Sequence, residues 1–202
     1  VVDDMVRSDG GTAVTLGSYF GRTQVLVAAG ATVHGEVTAI DALAGTTSRI
    51  DVAGTVSSVR GPVIQVHSNF LDDGFADLRI AATGSVQGWL SLTGNDDVVA
   101  SAGEFLSGGT NLFGAGNDKF VNLGTIGLLD GANAIAFDGL ERLENAGTIS
   151  LVNGFAGDQL VLDGTLHGVD GGALAVDFNI VTGAVDQLLL GALSGTNVLA
   201  LD

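Results

Sequence analysis

The chain of 202 residues holds 32 glycines, one proline and no cysteine, with 7 basic against 23 acidic side chains and a mean hydropathy of +0.45. Disorder is excluded because 46% of the residues are hydrophobic and only 15% charged, and the lack of Cys removes disulfides, thiolate metal sites and a Cys nucleophile. A net charge of −16, with Arg7, Arg22, Arg49, Arg60, Arg79, Lys119 and Arg142 scattered singly, argues against nucleic acid and anionic membrane surfaces as partners.

In chain order, the opening VVDDMVRSDGG has no basic segment followed by an apolar run, so it does not read as a signal peptide. The longest uncharged stretches, Ile80 to Asn95 and Gln187 to Leu201, are too short and too polar for a membrane span. One phrase recurs, Gly followed by a small or hydroxylated residue and then an aliphatic one. It begins at Gly11, Gly30, Gly54, Gly84, Gly103, Gly124, Gly147, Gly164 and Gly195, at intervals of 17 to 31 residues with a mean of 23. A repeat of 20–25 residues built from short strands predicts a solenoid in which each repeat is one coil. The glycines are expected to supply positive φ at corners between strands.

Strand-like fragments lie between them: Val52 to Val56, Val63 to Val66, Leu78 to Ala81, Trp89 to Leu92 and Gln159 to Leu162. In the last quarter Leu174, Val176, Phe178 and Ile180 alternate with Ala173, Ala175, Asp177 and Asn179, the period of a strand with one buried face. Phe137 to Asn145, with Leu140 and Leu143 three apart, is the best helical candidate and is limited to one turn by Gly139. A lone Pro suits a parallel stack in which nearly every N–H serves the next coil. The expected architecture is all-β, a right-handed parallel β-helix of about nine coils. Neither terminus reads as a cap, so the chain is expected to be a segment of a longer polypeptide.

From Phe137 onward the phrases fall in a recognisable order: Leu140 to Thr148 (LERLENAGT), Gly157-Asp158-Gln159-Leu160 to Gly164, Gly171-Gly172-Ala173-Leu174 to Asp177, and Asp186-Gln187-Leu188 to Thr196. This third of the chain resembles the C-terminal part of a pertactin-like autotransporter passenger, and the earlier repeats fit the same family more loosely. The resemblance divides the chain into solenoid coils over 1–136 and C-terminal coils over 137–202. It implies export through an outer-membrane barrel encoded further along the parent chain, and display on or release from a Gram-negative surface. It also implies a folding nucleus in the stretch before that barrel and a non-enzymatic role as stalk or adhesin. The partners implied are a surface protein or glycan of a host or neighbouring cell, with self-association of the rods as a further option.

Gly114-Ala115-Gly116-Asn117-Asp118-Lys119-Phe120, with a partial copy at Gly94-Asn95-Asp96-Asp97-Val98, is the sharpest local motif and resembles the calcium-binding nonapeptide of RTX proteins. Its copies stand one solenoid coil apart instead of nine residues. The expected reading is therefore a corner ladder of Asn95 on Asn117, with Asp96 and Asp118 at one azimuth. Calcium held by Asp96, Asp97 and Asp118 is the alternative, and otherwise no cofactor or metal is expected. A polysaccharide lyase or hydrolase would need paired carboxylates or carboxylates beside a base, for which Arg60, Asp72, Asp73 and Arg79 are the candidate group. His34, His67 and His167 fall in different coils and are expected to face solvent. No Gly-x-Ser-x-Gly elbow occurs, and Gly108-Gly109-Thr110 lacks the Lys of a phosphate loop. Tyr19, Phe20 and Trp89 are assigned to core or edge cover, with a sugar-stacking patch as the alternative. The exposed loops are expected in the long intervals 54–84 and 164–195. No catalytic residue is assigned.

Overall fold

The computed structural model describes residues 1–68 and 74–202. The chain winds as a β-solenoid of eight turns, each contributing one strand to each of three faces. The first coils are β1 (Met5–Ser8), β2 (Val14–Gly17), β3 (Arg22–Val27), then β4 (Thr32–Gly35), β5 (Ile40–Ala44), β6 (Thr47–Val52), then β7 (Thr55–Ser58), β8 (Ile64–Ser68), β9 (Phe75–Ile80). The middle coils are β10 (Ser85–Gln87), β11 (Leu90–Ser91), β12 (Val98–Ser101), then β13 (Glu104–Ser107), β14 (Gly109–Leu112), β15 (Lys119–Asn122), then β16 (Thr125–Leu128), β17 (Ala134–Asp138), β18 (Arg142–Asn145). In the seventh coil β19 (Thr148–Ser150) is followed by β20 (Gln159–Gly168), which runs unbroken across the second and third faces. The eighth is β21 (Ala173–Val176), a small hairpin of β22 (Phe178–Asn179) and β23 (Ala184–Val185), and β24 (Gln187–Gly195). β25 (Val198–Leu201) begins a ninth turn. Among the described residues every strand pairing except that hairpin is parallel.

The register stacks like on like. On the first face Val6, Val33, Val56, Val86, Phe105, Ile126, Ile149, Leu174 and Leu199 form one inward column. Val25, Ile50, Leu78, Val99, Phe120, Leu143, Leu166 and Leu193 form another on the third face. Every coil thus adds apolar area to one continuous core, the main stabilising term of a stack. In the fifth and sixth coils the core is aromatic, with Phe120 lying 5.5 Å from Phe105 and 5.8 Å from Phe137 between ring centroids.

Three expectations are corrected. Phe137 to Asn145 forms no helical turn: it is the end of β17, a corner at Gly139 (φ 77°) and β18. Leu140 and Leu143 are both buried, but from a corner and a strand. The alternation after Leu174 does not run on to Ile180, because the chain turns at Asp177 into the hairpin, which leaves Ile180 and Val181 85% and 90% exposed. The recurring glycines are not, for the most part, positive-φ corners. Of the nine, only Gly30 and Gly195 have φ in the left-handed range.

Gly54, Gly84, Gly103, Gly124 and Gly147 instead stand one above another, continued by Gly172. A Cβ on any of them would overlap a backbone oxygen of the preceding coil. The carbonyl of each accepts the next strand's first N–H, as in Thr125 N to Gly103 O (2.9 Å) and Thr148 N to Gly124 O (2.8 Å). The column is a place where backbones meet too closely for a side chain. Gly164 belongs to a second column at another corner, over Leu140 and beneath Gly191.

Candidate functional site

The motif over 114–120 occupies the corner between β14 and β15, and its partial copy occupies the corner one coil earlier. The register there differs from the expected one. Val98 pairs with Lys119, so Asp97 stands over Asp118, Asp96 over Asn117, and Asn95 over Gly116. The ladder is acidic. Asp118 Oδ1 accepts the Asp97 amide at 2.6 Å, and a Glu141 carboxylate oxygen accepts the Asp118 amide at 2.7 Å. Asp97 reaches back to the Ala76 amide at 2.6 Å and also accepts the Thr93 amide and hydroxyl, both at 2.8 Å. Each acid therefore satisfies a corner N–H of its neighbourhood that would otherwise be buried without a partner.

The cost is electrostatic. Burial pushes the Asp118 carboxyl up to about 7, aided by the charges of Asp97, Glu141 and Asp96, and pushes Asp97 up to about 6. Asp118 Oδ2 is buried without a hydrogen-bond partner. Among the described residues no group of three or more His, Asp or Glu is arranged to hold a metal ion. The asparagine ladder exists at a different corner: Asn122 Nδ2 donates to Asn145 Oδ1 at 2.8 Å, and Asn145 Nδ2 to Ala173 O at 3.1 Å. The signal for both ladders was the aligned phrase acid-x-hydrophobic-x-Asn or Ser, which appears at Asp97 to Ser101, Asp118 to Asn122 and Glu141 to Asn145.

A second buried acid group sits where the hairpin leaves the eighth coil. Asp186 accepts the amides of Gly157, Asp158 and Asp177 at 2.7–2.9 Å, and Asp177 accepts those of Asn153 and Gly154 at 2.9 Å. Burial, with the charges of Asp186 and Asp177, raises the Asp158 carboxyl. These acids pin the turn over 153–158 to the hairpin base. That turn and the one over 129–133 flank an apolar cleft of about 680 Å³ floored by Leu106 and Leu128, with Phe155 at its rim.

The third face carries a different chemistry. Five of the seven basic residues, Arg22, Arg49, Arg79, Lys119 and Arg142, point outward from β3, β6, β9, β15 and β18. Arg49 and Arg79 hold Asp51 and Asp77 through paired bonds of 2.9–3.2 Å, and Lys119 and Arg142 share Glu144 at 2.9 and 2.7 Å. These cations hold Asp51 and Glu144 below the usual carboxylate range. Within the first three coils the outward residues form a grid. Arg22, Thr47 and Phe75 make one column, Gln24, Arg49 and Asp77 the next, and Leu26, Asp51 and Arg79 the third. A groove of about 400 Å³ follows the first two columns.

The other sequence candidates are dispersed. Arg60 follows β7 and pairs with Glu36 at 3.0 Å, whereas Arg79 belongs to the third face, and Asp72 and Asp73 lie outside the described residues. His34, His67 and His167 sit on three different faces and turn outward, bonded to Ser57, Asp41 and Ser194. Tyr19 and Phe20 are exposed in the first coil and Trp89 is half-buried in the fourth, so they form no joint patch. The interval 164–195 contains the projecting hairpin, while 54–84 runs through β7, β8 and β9 and includes the five undescribed positions. No family model matches the chain, and no curated protein or solved structure is close enough to count as a relative.

Proposed function

We propose that this chain is a non-enzymatic stalk and adhesive segment from the passenger of a pertactin-like autotransporter, displayed outside a Gram-negative cell. The observation that carries the reading is the placement of the resembling phrases. Leu140 to Thr148 spans a corner, β18 and the glycine column, and Gly157 to Gly164 leads into β20. Gly171 to Asp177 forms β21 up to the hairpin, and Asp186 to Thr196 forms β24. Each phrase corresponds to a solenoid part in the order the family uses it. A stack of parallel coils needs no disulfide, which suits a chain exported unfolded and folded outside.

A display role is also favoured by where the carboxylates are. Asp51 and Asp77 are committed to arginine ion pairs, and Asp97, Asp118, Asp158 and Asp186 are buried in ladders that hold corners. A hydrolase would instead direct one protonated and one ionised carboxylate at a common groove. The partners proposed are a surface protein or glycan of another cell. The reading is tested by placing the chain between a secretion signal and an autotransporter barrel and adding protease to intact cells. Cleavage at the surface with a folded, solenoid-sized fragment is expected. Retention of the chain inside the cell envelope, with a control passenger reaching the surface, overturns it.

A further inference from the structure

The charge of this chain is distributed unevenly in a way composition conceals. The third-face strands from β3 to β18 hold five basic residues against three acids, Asp51, Asp77 and Glu144, which leaves twenty acids and two arginines for the rest of the chain. All three of those acids are already neutralised by ion pairs. One cation is left over: Arg22, exposed at the start of β3, is the only basic residue with no ion pair among the described residues. It opens the groove whose other walls are Gln24, Thr47, Arg49, Phe75 and Asp77.

We propose that this groove binds an acidic saccharide, with the anionic group on the free guanidinium of Arg22 and the sugar ring against Phe75. The inference rests on the display reading only for where such a partner would be met. A planar guanidinium takes a carboxylate or sulfate through two parallel hydrogen bonds. Phe75, 37% exposed one column end from Arg22, offers an apolar face, and Gln24 and Thr47 between them offer amide and hydroxyl groups to sugar hydroxyls.

The groove is the size of a small-molecule site, which runs from about 300 to 1,000 Å³. A single sugar unit with its anionic group therefore matches the groove in size. Beyond Asp77 and Val98, Lys119 and Arg142 stand in the same column as Arg49 and reach the sixth coil, about 24 Å from the first at ~4.8 Å per coil, so a longer acidic chain would lie along the rod axis. Two acids stand beside the groove: Asp77 is held by Arg79, and Asp96, one coil above Phe75, accepts the Asn117 amide at 2.9 Å; charges more than about 8 Å away are largely screened at physiological salt.

The test uses the whole chain with oligogalacturonate, a heparin oligosaccharide and neutral dextran as probes, measured by calorimetry at low and high NaCl. At least one of the two anionic probes is expected to bind, more weakly as salt rises, with dextran not binding. R22A is expected to weaken that binding by about tenfold or more, and R7A, which removes a cation from the first face, by less than twofold. Neither substituted side chain is buried, so unchanged melting temperatures will show that both variants fold. Binding of the oligogalacturonate over the heparin assigns a carboxylate, and the reverse a sulfate. The proposal is overturned by no binding of either anion, by equal loss in R7A and R22A, or by rods that self-associate through Arg22 and ignore both sugars. Surface display in the protease experiment is independent of Arg22, so loss of sugar binding alone removes the groove and loss of display alone removes the passenger reading.

Discussion

Asp118 is 1% exposed, with one carboxylate oxygen on the Asp97 amide and the other on nothing. Its carboxyl and that of Asp97 titrate higher in the folded chain than in the unfolded one, so folding favours their protonated forms. Their contribution to stability is therefore complete below pH about 4 and lost as the pH rises through about 6 and 7. Asp51 and Glu144, held low by their ion pairs, act in the opposite direction and lose their contribution on further acidification. Thermal unfolding is expected at a higher temperature at pH 5 than at pH 8. D118N removes one buried charge while keeping an acceptor for the Asp97 amide, and is expected to stabilise the chain at pH 8 by on the order of 1 kcal/mol. A melting-temperature series from pH 5 to 8 that keeps its full slope in D118N would remove the acidic ladder as the cause. The motif containing Asp118 was conspicuous in the sequence, but its partner was not. A shift of one residue in register decides whether Asp118 meets Asp96 or Asp97, and only the strand pairing of Val98 with Lys119 fixes that.

The Gly-Thr-hydrophobic phrase is an element-scale device. The hydrophobic residue fills the core column, Thr or Ser lies outward, and the glycine lets the chain turn the corner against the backbone below. G124A places a Cβ onto the Gly103 carbonyl and is expected to cost about 1–3 kcal/mol or more. Gly94, which has nothing within 4 Å of a would-be Cβ and no positive φ, is the contrast, and G94A is expected to stay within about 0.5 kcal/mol of the parent. Equal effects of the two in urea unfolding would contradict the close-contact account. The phrase was legible because its chemistry is local, one glycine and one apolar residue per coil. Its geometric purpose was not, since positive φ and close approach both select glycine and differ only in what stands opposite.

At the scale of the molecule, stability in a stack is set by each coil and its two neighbours. The buried aromatic cluster of Phe105, Phe113, Phe120 and Phe137 lies in the fifth and sixth coils, whereas β24 and β25 leave Leu189, Leu193, Leu199 and Leu201 exposed. Amide hydrogen exchange is expected to be slowest over β12 to β20 and faster in β1 and β25. Maximal protection over 187–201 would instead favour the terminal nucleus that the family resemblance implies.

Repeat length, strand content and the need for a parallel stack follow from the sequence, because they depend on spacing along one chain and on the frequency of glycine and β-branched residues. The solenoid completes eight turns and β25 begins another, close to the nine coils or so expected. The acidic ladder and the cationic third face do not follow from it, because each depends on which residues of different coils share an azimuth. Intervals from 19 to 30 residues between equivalent positions scramble that alignment until the strands are paired. Five of the seven cations that look scattered in the sequence thus share one face, where they outnumber the acids of the same strands in a chain of net charge −16.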